Sequence, residues 1–347
     1  MEYKYYIGLD AHSRTCTFAV MNGRGRVLGR QRVPTEERAL LDVVRGLRGS
    51  KALVLEETTV SHWLYVLLKG EVDKLIVCNP VMNKKRSKAK TDFLDAVELA
   101  DLLRVDRLEA VFHVDDELMD LRTLVSGHED LVQELTRCKN RYKALFRKSA
   151  LHLSGTAAYS RPEAIEQLPC QQQRYVARGL MAQLELLQAQ KKDYEKKFKA
   201  NAKKYKAIRL VMSIPGFGPV LANKIVGIVV SPHRFANKGK FFAYASLVKH
   251  VQKSDGRVTG KRQANGCKQL KAVFRIASLA ALSSDNAFRR KYDQMRMQGA
   301  SDRTARQAVA RAQAAAVLGV WKSGKKYNDK HRELMQARSC PKNMLDS

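Results

Sequence analysis

Four acidic residues in the first hundred positions stand where their side chains could meet around a metal ion. Asp10 ends an apolar run in IGLDAHS, and Glu56 ends another in ALVLEET, so each carboxylate lies at the C-terminal end of a predicted strand. Asp92 and Asp95 in KTDFLDA are three residues apart, which places both on one face of a helix. Convergent carboxylates repel each other unless a cation cancels their charge, and Mg²⁺ or Mn²⁺ does so through oxygen ligands.

A pair of such ions would give these acids a role in phosphodiester chemistry. Two cations about 3.5–4 Å apart stabilise the attacking and the leaving oxygen of a phosphate. Each acid taken alone has a simpler interpretation as a helix cap or a surface charge, and Asp95 in a first helical turn suits the helix dipole. Their joint placement favours a metal site. Glu57 should point to the opposite face from Glu56 and is the weaker candidate.

In the segments that would position these acids, apolar residues recur with the spacing of strands in some and of helices in others. Thr35 is predicted to be the N-cap of the first helix. Three strands, then helix, strand, helix, strand and helix, predict a mixed sheet with helices on its faces, the order used by ribonuclease-H-like folds. The predicted strands cover 3–10, 16–21, 27–33, 51–55 and 74–78, and the helices cover 36–47, 61–68 and 92–103.

Behind the sheet, long amphipathic segments predict helices. Residues 115–151 and 171–208 have apolar positions at helical spacing and no proline, and a turn-prone segment at 153–162 would join them into an antiparallel, coiled-coil-like arm. In IPGFGP, Gly216 and Gly218 precede an apolar helix over 220–230. This pattern is typical of a helix-hairpin-helix, whose backbone N–H groups can face a phosphate, although it also fits a simple turn.

A basic, turn-rich segment, QKSDGRVTGKRQ at 252–263, predicts a β-hairpin or loop, with helices after it over 267–281 and 302–321. It contains one serine, Ser254, which by itself is only a loop serine. The cations around that serine would attract a phosphate and stabilise charge developing on it. They are Lys253, Arg257, Lys261 and Arg262.

The charge of the chain indicates a polyanionic partner. The 347 residues carry a formal net charge of +30. Residues 1–110 contain 19 Lys and Arg against 15 Asp and Glu, so the remaining residues contain 45 against 19. Such a chain gains affinity for nucleic acid by releasing counterions, although charge alone also fits a solvated or ribosome-like basic surface.

Other sequence features bound the class of protein. The six cysteines show no zinc-ligand spacing and are interpreted as reduced packing residues. No apolar run is long enough for a membrane span or a signal peptide, so we expect a cytoplasmic protein without a membrane partner. The predicted domains are an α/β catalytic domain over 1–110, a helical arm over 111–207 and a mainly helical DNA-binding domain over 208–347.

Together these motifs resemble the DEDD transposases and site-specific invertases of the insertion-sequence-110 class, a group of RNA-guided bridge recombinases. GLDAHS, LEETT and KTDFLDA correspond to the family's patterns GxDxH/S, LEATG and KTDxxDA. IPGFGPVLANKIVGIV, FFAYASLV and KSDGRVTGKRQANGCKQLKAVF follow in the family's order. Two departures are QKSDG, where the family has a segment like YSSGG, and Thr59 in place of a glycine.

The resemblance implies a RuvC-like first domain with Asp10, Glu56, Asp92 and Asp95 as a metal-binding tetrad. It also implies that Ser254 attacks a DNA phosphate and forms a phosphoserine linkage. The expected partners are donor and target duplex DNA, a noncoding guide RNA, and further copies of the chain in a homodimer that assembles into a tetramer. The expected setting is the bacterial nucleoid.

Two other functions remain open from the sequence. A junction-resolving endonuclease would use only the carboxylates and water, so that Ser254 would be incidental. A non-enzymatic RNA- or DNA-binding scaffold would use the acids structurally, and Asp10→Asn would then leave its cellular activity intact.

Overall fold

The computed structural model describes residues 2–79, 91–114, 117–152, 155, 159, 161–254, 257–263 and 266–329. For 250–254, 258 and 261–263 the description covers the backbone only. The chain divides into two compact units, and the second begins at Glu117. None of the described helices has the length and hydropathy needed to cross a bilayer.

The first unit is built on a six-stranded mixed sheet with the order β3-β2-β1-β4-β5-β6. Strands β1 to β3 form an antiparallel meander, β4 and β5 continue parallel to β1, and the short β6 is antiparallel to β5. The strands are β1 Tyr5–Ala11, β2 Thr15–Met21, β3 Val27–Pro34, β4 Lys51–Glu56, β5 Lys74–Cys78 and β6 Ala110–Val111. This arrangement confirms the predicted mixed sheet.

Each face of the sheet carries its own apolar core, because side chains alternate along a strand. Ile7 and Leu9 of β1 belong to a core that includes residues of the first two helices, whereas Tyr6 and Val54 lie on the other face with residues of the third. The helices are α1 Glu37–Arg45, α2 Ser61–Leu68 and α3 Asp92–Arg104.

Gly8 allows α3 to lie directly against the centre of the sheet. A Cβ atom at this position would lie 1.9 Å from the carbonyl oxygen of Ala96 and 2.7 Å from the backbone nitrogen of Ala100. Because both neighbours are backbone atoms of α3, a side chain could not be accommodated without moving the helix. The glycine thus sets how closely α3 approaches the strand that carries Asp10.

The second unit is mainly helical, and its one described pair of strands, within residues 117–254, 257–263 and 266–329, is an antiparallel hairpin. Its helices are α4 Asp120–Lys148, α5 Gln171–Lys204, α6 Lys206–Met212, α7 Pro219–Val229, α8 Lys238–Tyr244, α9 Lys268–Ala280, α10 Ala287–Met297 and α11 Asp302–Ser323. The hairpin strands are β7 Lys249–Ser254 and β8 Arg257–Gln263.

The two longest helices pack antiparallel. Gly127 near the start of α4 lies against Tyr194 near the end of α5, while Cys138 further along α4 donates to the carbonyl of Leu180. Their contact is apolar and continues into α7. The turn predicted between the helices at 153–162 falls largely outside the described residues.

Several details differ from the sequence prediction. The N-cap of α1 is Glu36, not Thr35, because the Thr35 hydroxyl instead donates to the carbonyl of His12 at 2.8 Å. The segment predicted as one helix over 171–208 is divided into α5 and α6 at Tyr205, whose backbone is extended. Helices α8 and α10 and strand β6 have no counterpart among the predicted elements. The segment 252–263, predicted as a hairpin or loop, contributes to both strands of the hairpin, and residues 255–256 lie outside the described chain.

Candidate functional site

Asp10 and Glu56 lie at one edge of the sheet and on one of its faces. The parallel register pairs Leu9 of β1 with Leu55 of β4, so the two acids follow at equivalent positions. Since Leu9 and Leu55 both point to the α1 and α2 side, alternation directs Asp10 and Glu56 to the side covered by α3. Both acids are half-buried.

The first turn of α3 brings two more acids to this edge. The hydroxyl of Thr91 caps the helix by accepting from the backbone N–H of Leu94 at 3.3 Å, which fixes where the helix begins. Asp92 is the first residue of α3 and Asp95 follows three positions later. Helix N-termini favour negative charge, so this placement suits both carboxylates.

Asp10, His12 and Asp92 form a cluster whose potential ligand atoms all lie within 4.8 Å of one another. The ring nitrogen Nε2 of His12 donates to Asp10 Oδ2 at 3.2 Å, since a carboxylate can only accept. Among the described residues this is the one such group, and Glu56 and Asp95 are not members of it.

The electrostatics of Asp10 reflect this crowding. Burial raises the pKa of its carboxyl above the ordinary value. His12 opposes that shift, and the negative charges of Asp92 and Asp95 add to it. Asp95 therefore acts on Asp10 electrically although it lies outside the tight cluster. A cation at this edge would offset the repulsion that Asp92 and Asp95 add to the effect of burial.

A row of residues across the sheet extends the site beyond the acids. Asp10 pairs with Thr17 of β2, and Thr17 pairs with Arg32 of β3, so the three side chains share one face. Arg32 Nη2 lies 2.9 Å from Asp92 Oδ2 and also donates to the Thr15 hydroxyl. The Thr17 side chain is fully buried, and its hydroxyl has no hydrogen-bond partner among the described residues.

This donor set fits a hard divalent cation. Carboxylate oxygens are the ligands that Mg²⁺ and Mn²⁺ prefer, and Asp10 with Asp92 offers them at one point. The buried hydroxyl of Thr17, without a protein partner in the described chain, could bond to a water on such an ion. His12 offers a nitrogen, which Mg²⁺ accepts less readily than the later transition metals do.

Sequence reasoning did not select His12 and Arg32 as site residues. His12 was part of the GLDAHS motif, and its position two residues after Asp10 on an extended segment would have put it on the same face. The sequence gives a weaker indication that Arg32 belongs to the site. Arg30 and Arg32 alternate on a predicted strand, so both side chains should lie on the same face of the sheet. Its pairing with Asp92 follows from strand register, which the sequence does not state.

Ser254 is the last residue of β7, and its backbone pairs with that of Arg257, the first residue of β8. The side chain of Arg257 is exposed. The side chains of Ser254, Lys253, Lys261 and Arg262 lie outside the described part of the structure. The hairpin thus places the serine at the end of its first strand, with an exposed arginine opposite.

The glycines of IPGFGP lie between α6 and α7. Gly216 has a φ of +93°, and a Cβ atom there would lie 2.3 Å from the carbonyl oxygen of Ala277 in α9. This glycine is thus required by close packing against α9. Gly218 is the N-cap of α7, and nothing lies within 4 Å of where its Cβ would be. Of the two, Gly218 has open space beside it for a ligand.

Two family models match the chain. Residues 7–149 match the model of DEDD-type IS110 transposases, and residues 208–293 match a model described as "Transposase IS116/IS110/IS902 family". Together the two matches cover well over half of the chain and include all four acids and Ser254. No curated protein matches it.

Proposed function

Because the chain belongs to the IS110 family of transposases, enzymes that cleave and rejoin DNA, we propose that it exchanges DNA strands through a covalent serine intermediate assisted by a divalent-metal site. The observation that carries this proposal is the meeting of Asp10 and Asp92 within 4.8 Å at one edge of the sheet. The strand order β3-β2-β1-β4-β5 supports a ribonuclease-H-like, RuvC-like assignment of this unit.

The acids hold the metal in this proposal. Asp10, Glu56, Asp92 and Asp95 form the tetrad, and Mg²⁺ or Mn²⁺, two ions per site, would draw charge from the phosphate and stabilise the leaving oxygen. Arg32 partly neutralises the acids at the same edge, and His12 donates a hydrogen bond to Asp10.

Ser254 supplies the nucleophile. Its hydroxyl oxygen forms a bond to phosphorus, the bond from phosphorus to a sugar oxygen breaks, and the proton passes to that departing oxygen. A sugar hydroxyl of the partner strand then attacks the phosphoserine and releases the serine. One phosphodiester replaces another, so the exchange needs no external energy. Lys253, Arg257, Lys261 and Arg262 attract the phosphate.

The remaining proposals concern organisation and partners. The domains are 1–110, a helical arm over 111–207, and 208–347 with a helix-hairpin-helix in which Gly216 and Gly218 border the turn. The antiparallel pairing of α4 and α5 supports the arm. The proposed partners are donor and target DNA, a noncoding guide RNA, and further copies of the chain in a dimer and then a tetramer.

The decisive experiment is to trap DNA on the protein. Wild-type protein, incubated with its guide RNA and substrate DNA and then denatured, should carry a covalent adduct that maps by mass spectrometry to Ser254. Ser254→Ala should lose the adduct and strand exchange, whereas Ser283→Ala, an exposed serine, should keep both. Strand exchange by the Ser254→Ala protein would contradict the proposal and support the carboxylate-only endonuclease.

The role of the tetrad is tested by comparing substitutions of two neighbouring acids, one inside the tetrad and one outside it. Glu56→Gln should abolish cleavage, while Glu57→Gln, an exposed position on the same segment, should cleave as the wild type does. Equal loss in both variants would mean that charge near the sheet edge matters but that Glu56 has no specific role. Full cleavage by Asp10→Asn would remove the metal site from the mechanism and favour a scaffold.

A further inference from the structure

A strongly basic cleft of about 880 Å³ lies in the second unit. Helices α9 and α11 and the start of β7 contribute to its walls. Six cationic side chains line it, and Asp302 is the one acid among its lining residues in the described chain. The cations are Lys249, Lys271, Arg275, Arg303, Arg306 and Arg311.

Three arginines of the cleft form no ion pair with any residue in the described part of the chain. They are Arg275, Arg303 and Arg311, and all three are exposed. Arg306 pairs with Asp302 at 2.8 Å, and Asp302 also accepts from the hydroxyl of Tyr292 at 2.7 Å. Like charges gathered in a concave surface repel one another, so the arrangement is unfavourable until a polyanion occupies the cleft.

The cations stand in rows that fit a repeating anion. Lys271 and Arg275 are one helical turn apart on α9. Arg303 and Arg311 lie on the same face of α11, and a helical rise of 1.5 Å per residue puts them about 12 Å apart along the helix axis. The two helices are held together by fully buried Gln313, which donates to the carbonyl of Ala277 at 3.1 Å. The rows are therefore fixed on rigid helices.

The volume of the cleft is that of a small-molecule pocket, which is too small to enclose a duplex, so it would take only part of one sugar-phosphate strand. Strand β7 connects it to the serine, since Lys249 lines the cleft and Ser254 ends the strand. Five residue steps span at most about 17 Å, which equals about five base pairs of duplex.

We infer that this cleft binds the backbone of one strand of the substrate DNA duplex, within about five base pairs of the phosphate that Ser254 attacks. The position of that phosphate rests on the proposed function, in which Ser254 is the nucleophile. The binding of DNA by the cleft does not rest on it. The cleft is thus a phosphate-holding site that fixes the duplex while the hairpin reaches the reacting bond.

The experiment measures binding without cleavage. A fluorescent DNA duplex is titrated in EDTA with wild-type protein and with the double variant Arg303→Gln/Arg311→Gln, over a range of salt concentrations. Loss of two phosphate contacts should weaken binding at least about tenfold near 0.1 M salt and lower the slope of log K against log salt by about two. Arg303→Lys/Arg311→Lys should retain most of the wild-type slope.

The matched control removes two exposed arginines of α4, in Arg141→Gln/Arg147→Gln. Equal weakening in both double variants would overturn the inference, because the effect would then come from total charge. An RNA duplex of the same sequence is titrated in parallel. Loss of RNA binding with DNA binding intact would also overturn it and make RNA the occupant.

Position is tested separately by crosslinking. Gln307 lines the cleft between Arg303 and Arg311, so Gln307→Cys should crosslink to a thiol-reactive group on a backbone phosphate within about five base pairs of the cleavage position, and not to one about fifteen away. If DNA binding depends on the cleft but no DNA adduct forms on Ser254, the proposed function is wrong and the cleft inference stands. If the Ser254 adduct forms but the Arg303→Gln/Arg311→Gln variant binds DNA as the wild type does, the cleft inference is wrong and the proposed function stands.

Discussion

Arg32 connects the outer strand of the sheet to the first turn of α3. Its guanidinium lies 2.9 Å from Asp92, a carboxylate that also lies within 4.8 Å of a potential ligand atom of Asp10. An arginine and a divalent cation that bind the same carboxylate oxygen compete with each other. Arg32 should therefore lower the affinity of the site for the ion and be released toward a phosphate once the ion is bound.

This competition predicts that Arg32→Gln strengthens Mn²⁺ binding in the absence of DNA. A partly exposed ion pair contributes up to about 1 kcal/mol, so the dissociation constant should fall by up to about fivefold. Calorimetric titration with Mn²⁺ measures this, and Arg30→Gln, an exposed arginine two positions away, controls for net charge. Weaker binding by Arg32→Gln would mean instead that Arg32 orients Asp92 for the ion.

The sequence predicts the positions of the acids better than it predicts their neighbours. Asp10 and Glu56 end apolar runs, so strand periodicity alone places them at a sheet edge. Arg32 and Thr17 join the site through the register that pairs Asp10 with Thr17 and Thr17 with Arg32. Register depends on which strands become neighbours, which no local pattern encodes.

At the scale of elements, the packing of α4, α5 and α7 buries a polar group. His128 of α4 is 2% exposed and its ring lies 5.1 Å from that of Phe198. Neither ring nitrogen has a hydrogen-bond partner among the described residues. Burial lowers the pKa of His128, and the nearby positive charge of Lys224, which pairs with Glu129 at 2.7 Å, lowers it further.

This burial predicts acid sensitivity. As the pH falls below about 6.5, the unfolded chain takes up a proton on His128 that the folded chain excludes, so stability is lost by up to about 1.4 kcal/mol per pH unit. At higher pH the histidine is neutral in both states and contributes no pH dependence. His128→Phe removes the titrating group and should flatten the stability curve between about pH 5 and 6.5.

Urea denaturation followed by circular dichroism at several pH values measures this effect. The same acid-dependent loss of stability in wild type and His128→Phe would assign it to other groups. His128→Phe should also be at least as stable as wild type near neutral pH, because the unbonded ring nitrogens of a buried histidine are unfavourable. A large loss at neutral pH would show that the larger ring is not accommodated beside Phe198.

Local sequence patterns predict most elements but not those set by distant contacts. Thr35 has the chemistry of an N-cap, yet its hydroxyl bonds to the carbonyl of His12, on a loop brought beside it by the pairing of β2 and β3. The sequence does not predict the basic cleft for a similar reason. Its two rows of cations are some thirty residues apart in the sequence and meet only because α9 packs on α11.

For the whole molecule, charge and chemistry are divided along the chain. The first 110 residues, which hold the four acids, have a net charge of +4, while the rest of the chain accounts for the remaining +26 of the total of +30. Affinity for DNA should thus come mainly from the second unit and the chemistry of the leaving group from the first. These two functions should be separable by removing the divalent ion.

EDTA should abolish strand cleavage and leave DNA affinity nearly unchanged, because phosphate contacts by Lys and Arg need no metal. If the second unit contacts about six phosphates, log K should fall by about five for each unit rise in log salt, as fluorescence anisotropy with a labelled duplex would measure. Asp10→Asn in Mg²⁺ should behave as the wild type does in EDTA. Loss of DNA binding in EDTA would instead place the main phosphate contact at the acids of the sheet edge, and the excess charge behind residue 110 would need another partner.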